Sequence, residues 1–152
     1  MKGLIQRVSE ASVTVDGAEI ASIQSGILLL LGVERGDDVR CAGELCRKIL
    51  SYRIFPDDQG RMNRSLLDIN GELLVVPQFT LAADTRSGTR PGFSSAASPD
   101  LANTLFLRFV DSAKGAMDAG RVATGRFGAD MNVALINDGP VTFLLEVSGT
   151  ET

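Results

Sequence analysis

The chain has 152 residues, 44% apolar and 22% charged, a globular balance that excludes a disordered or low-complexity protein. Net charge is −4, which disfavours a broad binder of nucleic-acid backbone, since such a protein needs a basic surface. The complete lack of histidine removes Ser-His-Asp and Cys-His catalysis and every His-ligated metal site, so a proton must be moved by a carboxylate, a lysine, water or the substrate.

Such a length suits a single domain over residues 1–152, able to bury about two-thirds of its unfolded surface. Met1-Lys2-Gly3 leads straight into a strand-like pattern with no secretory hydrophobic region, and the longest aliphatic run, Ile27 to Leu31, is too short to span a bilayer. The expectation is a cytoplasmic protein with no membrane contact.

Leu4 to Val8 and Ser12 to Asp16 are predicted strands, and Asp16-Gly17 is a hairpin signal leading into a third strand at Glu19 to Ile23. Gly26 to Val33 is apolar throughout, as expected of a strand covered on both faces. Asp37 or Asp38 then caps a helix to about Ser51, with Val39, Ala42, Leu45, Cys46, Ile49 and Leu50 as its buried stripe. Cys41 and Cys46 lie roughly 140° apart around that helix and cannot readily pair, which fits reduced thiols. Asp57 to Gly60 is a turn, and Glu72 to Pro77 the next strand. Residues 82–97, rich in Gly, Ser, Thr and Arg, show no period; loops of that length are functional or disordered. Ser98-Pro99 opens a second helix, with Leu101, Leu105, Phe109, Ala113 and Met117 facing inward and Gly120 placed as its C-cap. Strands at Asn132 to Ile136 and Val141 to Val147 close the chain. Two helices among strands apolar on both faces predict an α/β class: layered mixed β-sheets, one of them between a helical layer and a second sheet.

Two segments carry the chemistry. In Leu135-Ile-Asn-Asp-Gly-Pro-Val-Thr-Phe-Leu144, two apolar limbs flank Asn137-Asp138-Gly139-Pro140, which reads as strand, tight turn, strand. Pro140 lacks an N–H, so such a turn can present carbonyl oxygens as a rigid polar edge that rejects a substrate of the wrong shape; a hairpin turn without function is the plainer reading. In Leu73-Leu-Val-Val-Pro-Gln-Phe-Thr-Leu81, an apolar run ends in Gln78 and Thr80 astride Phe79. Thr80 at a strand end also suits a threonine that only satisfies a backbone group.

Together Pro-Gln-Phe-Thr-Leu and Asn-Asp-Gly-Pro-Val-Thr resemble the two signature motifs of the D-aminoacyl-tRNA deacylases. The likeness extends to Gln6-Arg7-Val8, Ala11 to Val15, Tyr52-Arg53-Ile54-Phe55 and Gly125-Arg126-Phe127-Gly128-Ala129-Asp130-Met131, in matching order over nearly the whole chain. It implies an α/β/β layered fold, a homodimer, no cofactor and no metal. It further implies hydrolysis of the ester joining a D-amino acid to its tRNA, as chirality proofreading in translation, with glycyl-tRNA also cleaved. The implied partner is aminoacyl-tRNA, engaged at its 3′-terminal adenosine and amino acid; so narrow a grip needs few phosphate contacts, which suits an acidic protein.

By the same resemblance the catalytic residues are Gln78, Phe79 and Thr80. Backbone N–H groups around Phe79 and Thr80 would stabilise the oxyanion, and the adenosine 2′-hydroxyl would help activate water. Gly139 and Pro140, joined by a cis peptide, would reach into the partner subunit's pocket and crowd an L side chain. Arg7 would brace that turn, Thr89 and Arg90 would contact the terminal nucleotides, and Met131 would help bind substrate. Arg86 and Arg90 would give their loop local positive charge. Pro77 stands where the resemblance implies Ser, removing a hydroxyl and an N–H, and Gly92 also replaces an implied Ser. Two other readings stay open: a non-catalytic relative that binds aminoacyl-tRNA or a small molecule, and an esterase acting on small molecules with Thr80 as nucleophile.

Overall fold

The computed structural model describes residues 1–149; residues 150–152, the end of the expected domain, lie outside the described set. Eleven regular elements follow one another: β1 (Lys2–Val15), β2 (Ala18–Ile23), β3 (Gly26–Gly32), α1 (Val39–Ser51), β4 (Phe55–Pro56), β5 (Met62–Arg64), α2 (Leu66–Ile69), β6 (Glu72–Pro77), α3 (Pro99–Ala116), β7 (Val122–Thr124) and β8 (Asn132–Glu146).

β1 organises the sheet. The two N-terminal segments expected as separate strands are one strand of 14 residues. Along one edge it pairs antiparallel first with β3, from Lys2 to Val8, and then with β2, from Ala11 to Val15; along the other it pairs with β8. The β1–β2 turn places Asp16 and Gly17 at φ 50° and 78°, the left-handed pair that a two-residue hairpin requires. β6 and then β7 extend the sheet from β3 in parallel.

The apolar alternation in β3 and β6 divides two cores. Ile27, Leu29, Leu31, Leu73 and Val75 face the layer made by α1 and α3. Leu28, Leu74 and Val76 face Val8, Val13, Val15 and Ile23 on the other side. Each such side chain, fully buried, contributes about 1.5–3 kcal/mol. The α/β/β layering therefore matches expectation, with one refinement: the two β layers are a single hydrogen-bonded sheet that β1 carries from one layer to the other. Among the described residues, the small β4–β5 pair around Asp57 is the separate sheet.

The two long helices, α1 and α3, have side-chain caps. The Asp38 carboxylate, not that of Asp37, accepts the Cys41 N–H at 3.0 Å. Asp37 instead pairs with the Met1 ammonium at 2.8 Å. The α1 stripe runs as expected except at Val39, which is 48% exposed in the first turn. Ser98 caps α3, whose buried face is Ala102, Leu105, Phe106, Phe109, Val110 and Ala113, with Leu101 and Met117 only half-buried. The helix stops at Met117, and Gly120 is not its C-cap. Asp118 accepts the Gly120 N–H at 3.0 Å and starts a 3₁₀ turn instead. Among the described residues no helix is long and apolar enough to cross a membrane.

The C-terminal pattern also differs from expectation. Asn132 to Glu146 is one strand, and Asn137 to Pro140 is not a hairpin turn. Both limbs pair antiparallel with β1, Ala134 opposite Ser12 and Leu144 opposite Leu4, so the chain never reverses. Gln6 pairs with Thr142 and Val8 with Asn137; the intervening residues bulge out of the ladder.

Candidate active site

β6 leaves the core at Pro77, and the Gln78 N–H extends the ladder to the Leu31 carbonyl at 2.8 Å. Phe79–Ala82 then forms a 3₁₀ turn. The first N–H groups of such a turn have no partner within it, and among the described residues those of Phe79 and Thr80 have no acceptor elsewhere. The Gln78 side-chain amide donates to the Thr80 hydroxyl oxygen. Phe79 is 62% exposed and lies against Phe93, with ring centroids 5.4 Å apart.

The segment after β7 forms the facing wall. The Gly125 N–H bonds the Val75 carbonyl at 2.8 Å, and the Arg126 N–H lies 3.4 Å from the Met131 sulfur. A Cβ on Gly125 would stand 2.9 Å from that sulfur and 3.3 Å from Pro77 Cδ, so this wall is closed by a glycine. Phe127 packs against Phe106 of α3 at 6.3 Å.

Between the walls lies a cavity of ≈ 480 Å³, bounded by Pro77, Gln78 and Phe79, by Ala102 of α3, and by Phe127 to Met131. Its lining is apolar except for Gln78 and Asp130, the mixture expected of a site that holds an organic group and orients it with few polar atoms. Gln78, Phe79 and Met131 thus converge, with Thr80 exposed just outside the lining. The sequence motif contained Ala129, Asp130 and Phe127 without assigning them roles; their place in the same short segment as Met131 was the available signal. Ala102 carried no such signal.

The other expected residues lie elsewhere. Thr89 and Arg90 are exposed in a loop closed by paired bonds between Asp84 and Gly92, 2.7 and 2.9 Å, and do not line the cavity. In that loop Arg86 clasps Asp84 through two bonds of 2.9 Å and holds its carboxyl well below the usual carboxylate range. Arg86 therefore supplies no open charge, contrary to expectation, whereas Arg90 has no ion-pair partner among the described residues.

Arg7, Gly139 and Pro140 form a second constellation on β1 and β8. Arg7 Nε donates to the Asp138 carbonyl at 2.9 Å, and its terminal nitrogen donates to the Ile54 carbonyl at 2.6 Å. The Asn137 amide returns bonds to the Arg7 and Val141 carbonyls at 2.9 and 3.1 Å. The Gly139–Pro140 peptide is cis, and both residues are exposed and outside the ladder to β1. Neither lines the cavity of its own chain.

Cys41 and Cys46 are free and buried in the helical core, and burial pushes the Cys46 thiol up to about 11, so it stays protonated at neutral pH. Among the described residues no three His, Cys, Asp or Glu side chains stand close enough to hold a metal ion.

A family model described as D-Tyr-tRNA(Tyr) deacylase matches residues 4–146. Over 146 residues the chain is 71% identical to a D-aminoacyl-tRNA deacylase of Marinobacter nauticus, covering 96% of this chain and 94% of the relative. A Pseudomonas aeruginosa protein of the same name is 59% identical, over 96% and 99% of the two chains. The fold superposes on a solved c-Myc DNA unwinding element binding protein with a TM-score of 0.94 and 37% identity, over 98% of this chain and 100% of that one. It also superposes on a probable eukaryotic D-amino acid tRNA deacylase with a TM-score of 0.80; at 16% identity, over 96% and 98% of the chains, that likeness concerns the fold alone.

Proposed function

The chain belongs to the D-Tyr-tRNA(Tyr) deacylase family, and on that premise we propose that it hydrolyses the ester of D-aminoacyl-tRNA to free D-amino acid and tRNA. The observation that carries this reading is the pair of unpartnered N–H groups on Phe79 and Thr80 beside an apolar cavity of ≈ 480 Å³. The terminal adenosine and its amino acid occupy the cavity. Water attacks the ester carbonyl carbon, and the two N–H groups stabilise the oxyanion, each contributing about 3–4 kcal/mol. The tetrahedral intermediate then expels the ribose oxygen, which leaves as a hydroxyl. The adenosine 2′-hydroxyl assists the water, so the acid–base work falls to the RNA in a protein without histidine.

Handedness is read by a second copy of the chain. The Gly139–Pro140 corner of one subunit enters its partner's cavity, and its carbonyl oxygens crowd the position of an L side chain; a glycyl ester, with no side chain, is cleaved. Support for assembly comes from β8, whose outer edge is unpaired among the described residues and which exposes Leu135, Ile136, Phe143 and Leu144. The enzyme works in the cytoplasm, on charged tRNA.

A second reading has one specific test, because Asp130 is the one carboxylate among the described residues of the cavity lining. If it were the general base, Asp130→Asn would abolish turnover. The solved relative at 37% identity is named as a DNA-binding protein; here a net charge of −4 opposes binding to a duplex backbone. Incubation of the purified protein with excess D-tyrosyl-tRNA tests the proposal. Release of many equivalents of free D-tyrosine is expected, whereas binding without release would identify a non-catalytic relative.

A further inference from the structure

Phe93 is an exposed aromatic residue beside the cavity that does not line it. Its ring is 43% exposed, next to a Phe79 that is itself 62% exposed, and the two meet at 5.4 Å with a 46° tilt. Neither ring contributes to either buried core. The backbone beneath them is nonetheless firmly held. Gly92 is doubly bonded to Asp84, the Phe93 carbonyl accepts the Ala96 N–H at 3.1 Å, and Ser95 and Ala97 are tied to Arg35 and Val33 at 2.8 and 3.1 Å. Two large rings displayed to water on a pinned backbone form an apolar platform of two tilted faces rather than a packing element.

Its surroundings select the occupant. Phe79 belongs both to the cavity wall and to the ring pair, so whatever leaves the cavity on that side passes onto Phe93. The adjoining loop has its one carboxylate, Asp84, answered by Arg86, while Arg90 has no ion-pair partner among the described residues. Exposed aromatic faces beside an open guanidinium suit single-stranded nucleic acid, whose bases stack on rings and whose phosphates seek cations.

Resting on the deacylase reading above, we propose that Phe93, with Phe79, is a stacking platform for the base preceding the terminal adenosine of the tRNA, and that Arg90 attends its phosphate. The platform lengthens the grip on the RNA without making the whole surface basic. It also separates tRNA esters from esters of free nucleosides, because only the former have a base to place there.

The test compares Phe93→Ala, Phe93→Trp and the parent on two substrates, a D-tyrosyl-tRNA and the D-tyrosyl ester of free adenosine. Loss of one stacked base is expected to raise KM for the tRNA between about five- and a hundredfold with kcat little altered. The penalty on the adenosine ester should be much smaller, and Phe93→Trp should retain the parent's KM for tRNA. Equal penalties on the two substrates, or an unchanged KM for tRNA in Phe93→Ala, would overturn the platform while leaving the deacylase reading intact. If the parent cleaved neither ester, the deacylase reading itself would fall, and the platform with it.

Discussion

The turn at Phe79–Thr80 and the corner at Gly139–Pro140 are opposites. The first presents backbone donors, and the packed elements behind it hold it in place: β6 runs between two cores, and Gly125 lies close against it. The second exposes carbonyl oxygens rather than donors, bulges from a ladder, and is held by side chains, chiefly Arg7 and Asn137. A site made of main-chain donors survives most side-chain changes, whereas a corner braced by two side chains depends on each of them.

That contrast is broken most strongly at Arg7. Arg7→Ala removes donors to the Asp138 and Ile54 carbonyls and the 3.2 Å ion pair with Asp138. A loss of about 1.5–3 kcal/mol is expected, visible as a fall in Tm of roughly 3–10 °C. Selectivity for D- over L-esters should drop by about tenfold or more while D-ester turnover falls less. An unchanged D:L ratio in a folded variant would separate the brace from handedness.

Gly125→Ala tests the opposite wall. Its Cβ would sit 2.9 Å from the Met131 sulfur, backed by Pro77. Displacing Met131 into the cavity should cost about 1–3 kcal/mol of stability and raise KM several-fold for D- and L-esters alike, leaving their ratio near the parent's. A change confined to the ratio would mean that this wall reads handedness.

The smallest effects are expected from the polar side chains in and beside the cavity, Asp130 and Thr80. Thr80→Ala leaves the backbone N–H in place and removes only the hydroxyl that Gln78 holds. Single-turnover rates within about tenfold of the parent are expected for it and for Asp130→Asn. Complete loss in Thr80→Ala would restore the threonine-nucleophile reading, and complete loss in Asp130→Asn would identify a general base.

The local elements were legible because their signals are local: the Asp16-Gly17 turn, the α1 stripe with its aspartate cap, the Ser98-Pro99 start of α3. What was missed depends on partners remote in sequence. Whether Asn137 to Pro140 turns or bulges is decided by β1, long enough to pair with both limbs, and no property of Asn-Asp-Gly-Pro reports that. Gly120 had the residue type of a C-cap, but the helix end was set earlier, at Met117. In the site, Gln78, Phe79 and Met131 were named through motif resemblance and meet at one cavity. The pairing of Arg86 with Asp84 is a loop geometry rather than a sequence pattern, so the expected open charge is not there. Phe93 sat within the aperiodic loop with nothing to mark it.

The most direct measurement is the single-turnover hydrolysis rate of matched D- and L-tyrosyl esters of one tRNA by the unmodified protein. Rapid cleavage of the D-ester with the L-ester spared by a factor of at least about a hundred, equivalent to about 2.8 kcal/mol, is the predicted result. Equal rates on the two mirror-image esters would contradict it.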